Sequence, residues 1–352
     1  MKYDKRIVRL LGMQTPVIQA PMAGGTTTPE LVAAVSESGG LGSIGAGYLS
    51  PEAITSTIEQ TRERTGRGFA VNLFVPGEPA EDAAAVERSN SRLDVFRADL
   101  GIERPAPPAR YAPVFDDQFE AVVAAHVPVF SFTFGALQPV EVARLKEGGT
   151  VVIGTATTVD EAIALAAIDV DMIVAQGAEA GGHRGTFMHP AEQALIGTMA
   201  LVPQIVDSVS VPVIASGGIM DGRGVAAALM LGAGAVQMGS AFVVCDESGA
   251  QPAHREALLA GPAARETVVT RAFSGKAARG IRNRFIDELA PVADQLPDYP
   301  IQNAWTKDVR AAAGAQGRAE YMSLWAGQAA ALAVKRSAAQ IVDSIRQHLD
   351  AL

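Results

Sequence analysis

The sequence predicts an α/β fold: a (β/α)8 TIM barrel carrying a smaller, mainly helical subdomain. Three observations lead there. Eight short apolar runs rich in β-branched residues recur along the chain, alternating with stretches of helical character. Helix start signals repeat at the same place in the unit. Thr28-Pro29-Glu30 and Ser50-Pro51-Glu52 each put an N-cap hydroxyl before a proline and an acid. The chain's 352 residues also exceed the roughly 250 that such a barrel needs, leaving material for an addition.

The runs follow one another in order. Val17–Met22 (VIQAPM) is the first, and Leu41–Ala46 (LGSIGA) the second. Phe69–Phe74 (FAVNLF), Val127–Thr133 (VPVFSFT) and Val151–Thr155 (VVIGT) come next, with a helix near Pro139–Glu147 between the last two. Met172–Gln176 (MIVAQ), Val211–Ser216 (VPVIAS) and Ala235–Ser240 (AVQMGS) complete the set. Parallel strands covered by helices explain such a pattern, and a count of eight favours closure over an open doubly wound sheet, the alternative. Two regions break the rhythm: the Pro-rich residues 75–113, and residues 245–328, where no further strand–helix pair is evident. The barrel is therefore assigned to residues 1–74 and 114–244, and the subdomain over its mouth to 75–113 and 245–328. A last amphipathic helix, about Ala329–Leu352, is expected to pack on the surface or on a partner subunit.

Composition narrows the class. Hydrophobic residues make up 48% of the chain, enough for a large core. No apolar run approaches the roughly 20 residues of a membrane span, and MKYDKRIVRLLG has no signal-peptide core. These features lead us to expect a soluble, cytoplasmic protein. One cysteine, Cys245, rules out an internal disulfide and any Cys-clustered metal site. It is read as a small buried residue. A net charge of −9 argues against a nucleic-acid surface, but not against a local pocket for a small anion.

In a barrel the chemistry gathers at the C-terminal ends of the strands. Here those ends carry Ala20-Pro21-Met22-Ala23-Gly24-Gly25, Asn72, Gln176, Ser216-Gly217-Gly218 and Gln237-Met238-Gly239-Ser240. Gly217-Gly218 after the seventh strand and Gly239 closing the eighth let main-chain N–H groups approach a phosphate, in the place barrels commonly use for one. A tight packing turn is the plainer reading of a single pair. Asn72, Gln176 and Gln237 are planar amides that both donate and accept, suited to the edge of a heterocycle such as a flavin. Satisfying main-chain groups at the barrel mouth is their alternative. No dinucleotide-fold or P-loop glycine pattern is present.

The loop AQGAEAGGHRG, residues 175–185, holds His183. A metal is disfavoured there, because His189 lies six residues on and no carboxylate completes a site. An acid–base group or an anion-binding imidazole suits its ordinary pKa better, and the residues alone leave the two open.

QAPMAGG (19–25), ELVAAVSESGGLGSIGAGYLSPE (30–52), FAVNLF (69–74), AQGAEAGGHRG (175–185), PVIASGGI (212–219), GAGAVQMGSAF (232–242) and YMSLWAGQ (321–328) resemble the class I nitronate monooxygenases, formerly called 2-nitropropane dioxygenases. The resemblance spans nearly the whole chain, and AEAGGHRG together with QAPMAGG is its most specific part. It implies a TIM barrel binding FMN non-covalently, with an extra substrate-binding domain. Flavin would rest against Ala20, Pro21, Met22, Ala23, Gly24, Asn72, Gln176 and Gly181, with Ser216, Gln237 and Met238 nearby. Its phosphate would sit on Gly217, Gly218, Gly239 and Ser240, and His183 would be the active-site histidine. The implied activity is oxidation of alkyl nitronates with O2, propionate 3-nitronate among them, through an anionic flavosemiquinone, detoxifying a metabolic poison. Neither nicotinamide nor metal is implied, and the chain is expected as a monomer or homodimer. Lys307, Arg310 and Tyr321 are candidate pocket walls, with substrate binding assigned to His183, Lys307 and Tyr321. Trp305 and Trp325 are expected to pack within the subdomain. The alternatives are an NAD(P)H-dependent quinone or enoyl-thioester reductase of the same barrel group, or a barrel that binds a phosphate sugar without catalysis.

Overall fold

The computed structural model describes residues 4–75, 77 and 82–352. Its main sheet is built from β1 (Val17–Gln19), β2 (Ser43–Gly45), β3 (Ala70–Phe74), β4 (Val129–Thr133), β5 (Val151–Ala156) and β6 (Met172–Gln176). A two-residue strand, β7 (Gly182–His183), lies outside this sheet, which continues with β8 (Val213–Ser216) and β9 (Ala235–Met238). All pairs are parallel, in the order β1-β9-β8-β6-β5-β4-β3-β2. Ile18 bridges Leu41 at the remaining gap, where Leu41 N–H donates to Val17 O (3.0 Å) and Gln19 N–H to Leu41 O (2.9 Å). Those bonds close the ring, so the architecture is a barrel and not an open sheet. Each of the eight expected runs coincides with one barrel strand, β5 running one residue past its end.

Period-two alternation along each strand divides the packing. One set of positions, including Ile18, Ala70, Val129, Ile153, Val174, Ile214 and Ala235, forms the barrel interior. The short helix Arg6–Leu10 closes its floor with Ile7, joined by Leu11 and Met13. Alternate residues such as Val17, Val71, Phe130, Ile173 and Val236 pack outward under the helices. The start signals act as anticipated: Thr28 Oγ1 accepts from Leu31 N–H and Ser50 Oγ from Ala53 N–H, with proline next in each case.

Directly after β9 comes a helix of only four residues, Ser240–Val243. The place of an eighth barrel helix is taken by Ala338–Asp350, which packs against Pro29–Glu37 and Gly222–Met230. Its Ala338, Ile341, Val342 and Ile345 join the barrel core. This helix is shorter than the sequence suggested. A capping box at Ser337 and Gln340 starts it, and Ala330–Leu332 is a separate 3-10 turn. No helix among the described residues is long and apolar enough to cross a membrane.

A second hydrophobic core draws on the helix Ala83–Leu100 and on residues between 243 and 330, with Phe96, Phe273, Phe285, Trp305 and Tyr321 at its centre. Buried Arg97 ties its helices together: Nε donates to Asp308 (2.7 Å), Nη1 to Asp94 (2.8 Å) and Nη2 to Trp305 O (3.0 Å). The region also contains an antiparallel sheet that the sequence reading lacked. It is formed by β10 (Thr267–Thr270), β11 (Ala278–Ile281) and β7, with Ala278 opposite His183. The two-residue β7 shows no alternation, and β10 turns directly into β11, so the strand–helix rhythm that marked the barrel strands is absent.

Candidate active site

Where the inward-facing rows reach the C-terminal barrel mouth, they turn from apolar to polar. Asn72, Ser131, Thr155, Gln176, Ser216 and Gln237 stand there, and all line one cavity. The cavity encloses about 1290 Å3 of empty space, its open mouth included. Its floor is mostly neutral: Asn72 Nδ2 donates to Ser131 Oγ at 2.9 Å.

At one end, Gly217 (φ +118°) and Gly218 (φ +71°) occupy left-handed backbone that a side chain would strain. A Cβ on Gly217 would also lie 2.8 Å from Thr198 Oγ1. The N–H groups of Gly218, Gly239 and Ser240 carry no main-chain hydrogen bond among the described residues. They are therefore free to meet an anion. Glu179 braces this end from behind, accepting from Thr198 N–H and Oγ1 at 2.9 Å each, while Ser240 Oγ accepts from Gly327 N–H.

At the other end stands His183, in β7 of the small sheet. Gln176 brackets its main chain: Nε2 donates to His183 O (3.1 Å) and Oε1 accepts from Gly185 N–H (2.8 Å). Each end of that amide keeps one further bonding position. Beyond it, buried Arg184 holds the loop through the carbonyls of Gly177, Gln176 and Ala194. Buried Glu161 accepts from Thr157, Thr186, Phe187 and Met188. Burial alone would raise the Glu161 pKa, but the N–H and hydroxyl donors outweigh it and hold the carboxyl below its usual range.

The ring of His183 packs among Trp325 (5.4 Å between centroids), Phe134 (5.5 Å), Tyr299 (6.1 Å) and Phe74 (6.5 Å). Nε2 lies 2.8 Å from Ser274 Oγ. Burial first, then the charges of Lys276 and Arg310, push its pKa down to about 3, so the imidazole is neutral at pH 7. Both cations are held by carbonyl-type oxygens: Lys276 Nζ donates to Thr186 O (3.1 Å), and Arg310 Nη2 to Asn303 O (2.7 Å) and Oδ1 (3.0 Å). Lys276 also sits 4.8 Å from the Phe134 ring centre. Burial lowers the pKa of both cations.

The nitronate monooxygenase family profile matches residues 5–348. A probable nitronate monooxygenase of Staphylococcus aureus (strain MSSA476) is 47% identical over 341 residues, spanning 97% of this chain and 96% of that protein. This chain belongs to the nitronate monooxygenase family. Among solved structures, nitroalkane oxidase from Streptomyces ansochromogenes superposes with a TM-score of 0.91 at 39% identity, covering 98% of both chains. FabK from Thermotoga maritima gives 0.77 at 30% identity, covering 99% of this chain and 97% of that one.

Most residues singled out from the sequence converge on the cavity. Ala20, Pro21, Met22, Ala23, Asn72, Gln176, Gly181, His183, Ser216, Gly217, Gly218, Gln237, Gly239 and Ser240 all line it. Four do not. Gly24 is exposed beside the loop, at φ +87°. Met238 packs outward in the barrel core, because alternation turns it away from Gln237. Lys307 is exposed at the start of the helix Lys307–Gln316. Tyr321 is buried in the second core, and its hydroxyl meets Asp99 (2.6 Å) and Arg284. Trp305 packs in that core as expected, whereas Trp325 lines the cavity and faces His183.

Several further residues line the cavity. Ser131 and Thr155 were accessible to the same alternation rule that picked Asn72, since Asn72 registers with Ser131. Tyr48, Phe134 and His254 gave no such signal. His254 Nε2 donates to Trp325 O (3.0 Å), and burial takes its pKa to about 4, against the raising effect of that bond.

A flavin mononucleotide suits this donor set. The free N–H groups of Gly218, Gly239 and Ser240 match a phosphate, and the neutral amides match a heterocycle edge that both donates and accepts.

Proposed function

We propose that this chain is an FMN-dependent oxidoreductase that oxidises alkyl nitronates with O2, propionate 3-nitronate among them, and so detoxifies nitro compounds. Gly217, Gly218, Gly239 and Ser240 would hold the phosphate. Asn72, Gln176 and Gln237 would meet the ring, beside Ala20–Ala23 and Gly181. When bound, the flavin supplies the one-electron acceptor chemistry and the reaction with oxygen. The observation that carries the substrate class is the opposite wall: His183 lies in the field of Lys276 and Arg310, two cations held by carbonyl oxygens and not by carboxylates. An anion entering there meets two cations that make no ion pair among the described residues, while Phe134, Tyr299 and Trp325 exclude water and limit its orientation. A carboxylate tail on the nitronate would add to the match.

The purified protein is expected to be yellow, to release FMN on heating, and to consume oxygen with propionate 3-nitronate and without NADH. The fold likeness to FabK supports a second reading, a pyridine-nucleotide-dependent reductase. Rapid anaerobic bleaching of the flavin by NADH or NADPH, with no oxygen uptake on nitronates, would establish that reading instead. A colourless protein would leave the phosphate-sugar barrel.

A further inference from the structure

We propose that Ser274 is a positioning residue that holds His183 as its Nε2–H tautomer and leaves Nδ1 as the ring atom that meets the substrate. The hydrogens at one oxygen decide the tautomer. Ser274 is 1% exposed, and its Oγ has three neighbours: Lys276 N (3.3 Å), Lys276 O (3.1 Å) and His183 Nε2 (2.8 Å). A hydroxyl has one hydrogen and two lone pairs. Lys276 N–H only donates, so it takes one lone pair. Lys276 O only accepts, so it takes the hydrogen. What remains toward His183 is a lone pair, and Nε2 must therefore carry a proton. The neutral ring has only one, which leaves Nδ1 bare. Nδ1 makes no hydrogen bond among the described residues, and the ring lines the cavity.

The arrangement is set by the fold and not by chance approach of two side chains. Ser274 lies in the turn between β10 and β11, and β11 pairs with β7, which carries His183. The same small sheet thus fixes the histidine's main chain and presents the hydroxyl that reads its tautomer.

A bare Nδ1 accepts a proton and cannot donate one to a nitronate oxygen. His183 therefore serves a neutral nitroalkane. Nδ1 takes the proton from the carbon next to the nitro group, the C–H electron pair passes into that group to give the nitronate, and the ring becomes imidazolium with Nε2–H still on Ser274. Lys276 and Arg310, and not His183, supply charge to the anion so formed.

This inference rests on His183 facing the substrate, as the proposed function has it, but its first test does not depend on turnover. Proton–nitrogen NMR of the nitrogen-15 histidine-labelled, flavin-loaded protein, with His183 assigned by its loss in His183→Asn, is expected to show a pyrrole-like Nε2 and a pyridine-like Nδ1. The reverse pattern would overturn the proposal. A nitronate-inactive protein with the expected pattern would sink the proposed function and leave the tautomer standing. Ser274→Ala is expected to lower kcat/KM for nitroethane about tenfold, the value of one lost hydrogen bond. It should lower the ratio of nitroethane to ethyl nitronate turnover as well. Ser274→Thr, which keeps the hydroxyl, should restore that ratio. An unchanged ratio in Ser274→Ala would count against the positioning role.

Discussion

The two walls of the cavity are built by different rules. The barrel wall is assembled from strand ends: neutral amides, hydroxyls and glycine main chain, each placed by alternation along a parallel strand. The facing wall is assembled from side chains that meet only in three dimensions, namely His183, Phe134, Trp325 and Tyr299, with Lys276 and Arg310 behind them. The first wall suits a large neutral ring with a phosphate tail. The second is aromatic and positive, which suits a small anion or a molecule that becomes one. The difference teaches that neighbouring strand ends can build one wall while contacts between the barrel and the second core build the other, a division that fits the proposed split between cofactor holding and substrate chemistry.

Substitutions confined to one wall test that separation. The largest effect is expected from His183→Asn: kcat/KM for neutral nitroalkanes falls about 10²- to 10⁴-fold, as for loss of a general base, while bound FMN per protein stays unchanged. Loss of the flavin in that variant would erase the distinction between the walls. Next comes Gly217→Val on the barrel side. Its φ of +118° and the approach to Thr198 predict strain of about 1–3 kcal/mol. Flavin retention should weaken about 10- to 100-fold, read from flavin fluorescence on dilution. Native-like retention would show that this turn does not hold the phosphate.

The histidines sharpen the comparison through pH. His183 and His254 have folded pKa values of about 3 and about 4, below the ordinary 6.5. The unfolded chain thus binds protons that the native state refuses, and stability falls as pH drops below about 6.5. Each histidine contributes a slope of about 1.4 kcal/mol per pH unit until its folded pKa is reached. Denaturant unfolding between pH 7 and 4.5 should show this, with a shallower slope in His183→Asn. The same neutrality predicts no histidine titration in the nitroalkane pH–rate profile between pH 5 and 8. A bell centred near 6.5 would contradict it. The smallest effect is expected from Ser50→Ala, which removes one barrel helix cap and costs about 1 kcal/mol; flavin content and kinetics should not move.

Legibility in the sequence follows the same divide. The eight strands could be read because alternation and β-branched runs are local, and the helix starts at Thr28 and Ser50 because a cap is a three-residue event. Asn72, Gln176, Gly217 and Gly239 were found by one rule, that strand ends carry the site. The same rule overreached at Met238, whose side chain alternation turns outward. Lys307 and Tyr321 failed for another reason: nothing local tells a helix start or a buried phenol from a pocket wall.

What the chain determined by itself was the barrel, its polar mouth and the glycine turns, since each depends on residues within a few positions of one another. Only the tertiary structure decided what His183 is. Ser274 lies 91 residues away in sequence, and Trp325 and Arg310 farther still. Burial, two nearby cations and one saturated hydroxyl make the ring neutral and choose its bare nitrogen. Solvent exclusion, long-range charge and hydrogen-bond counts are properties of a folded neighbourhood, and no spacing in the chain encodes them.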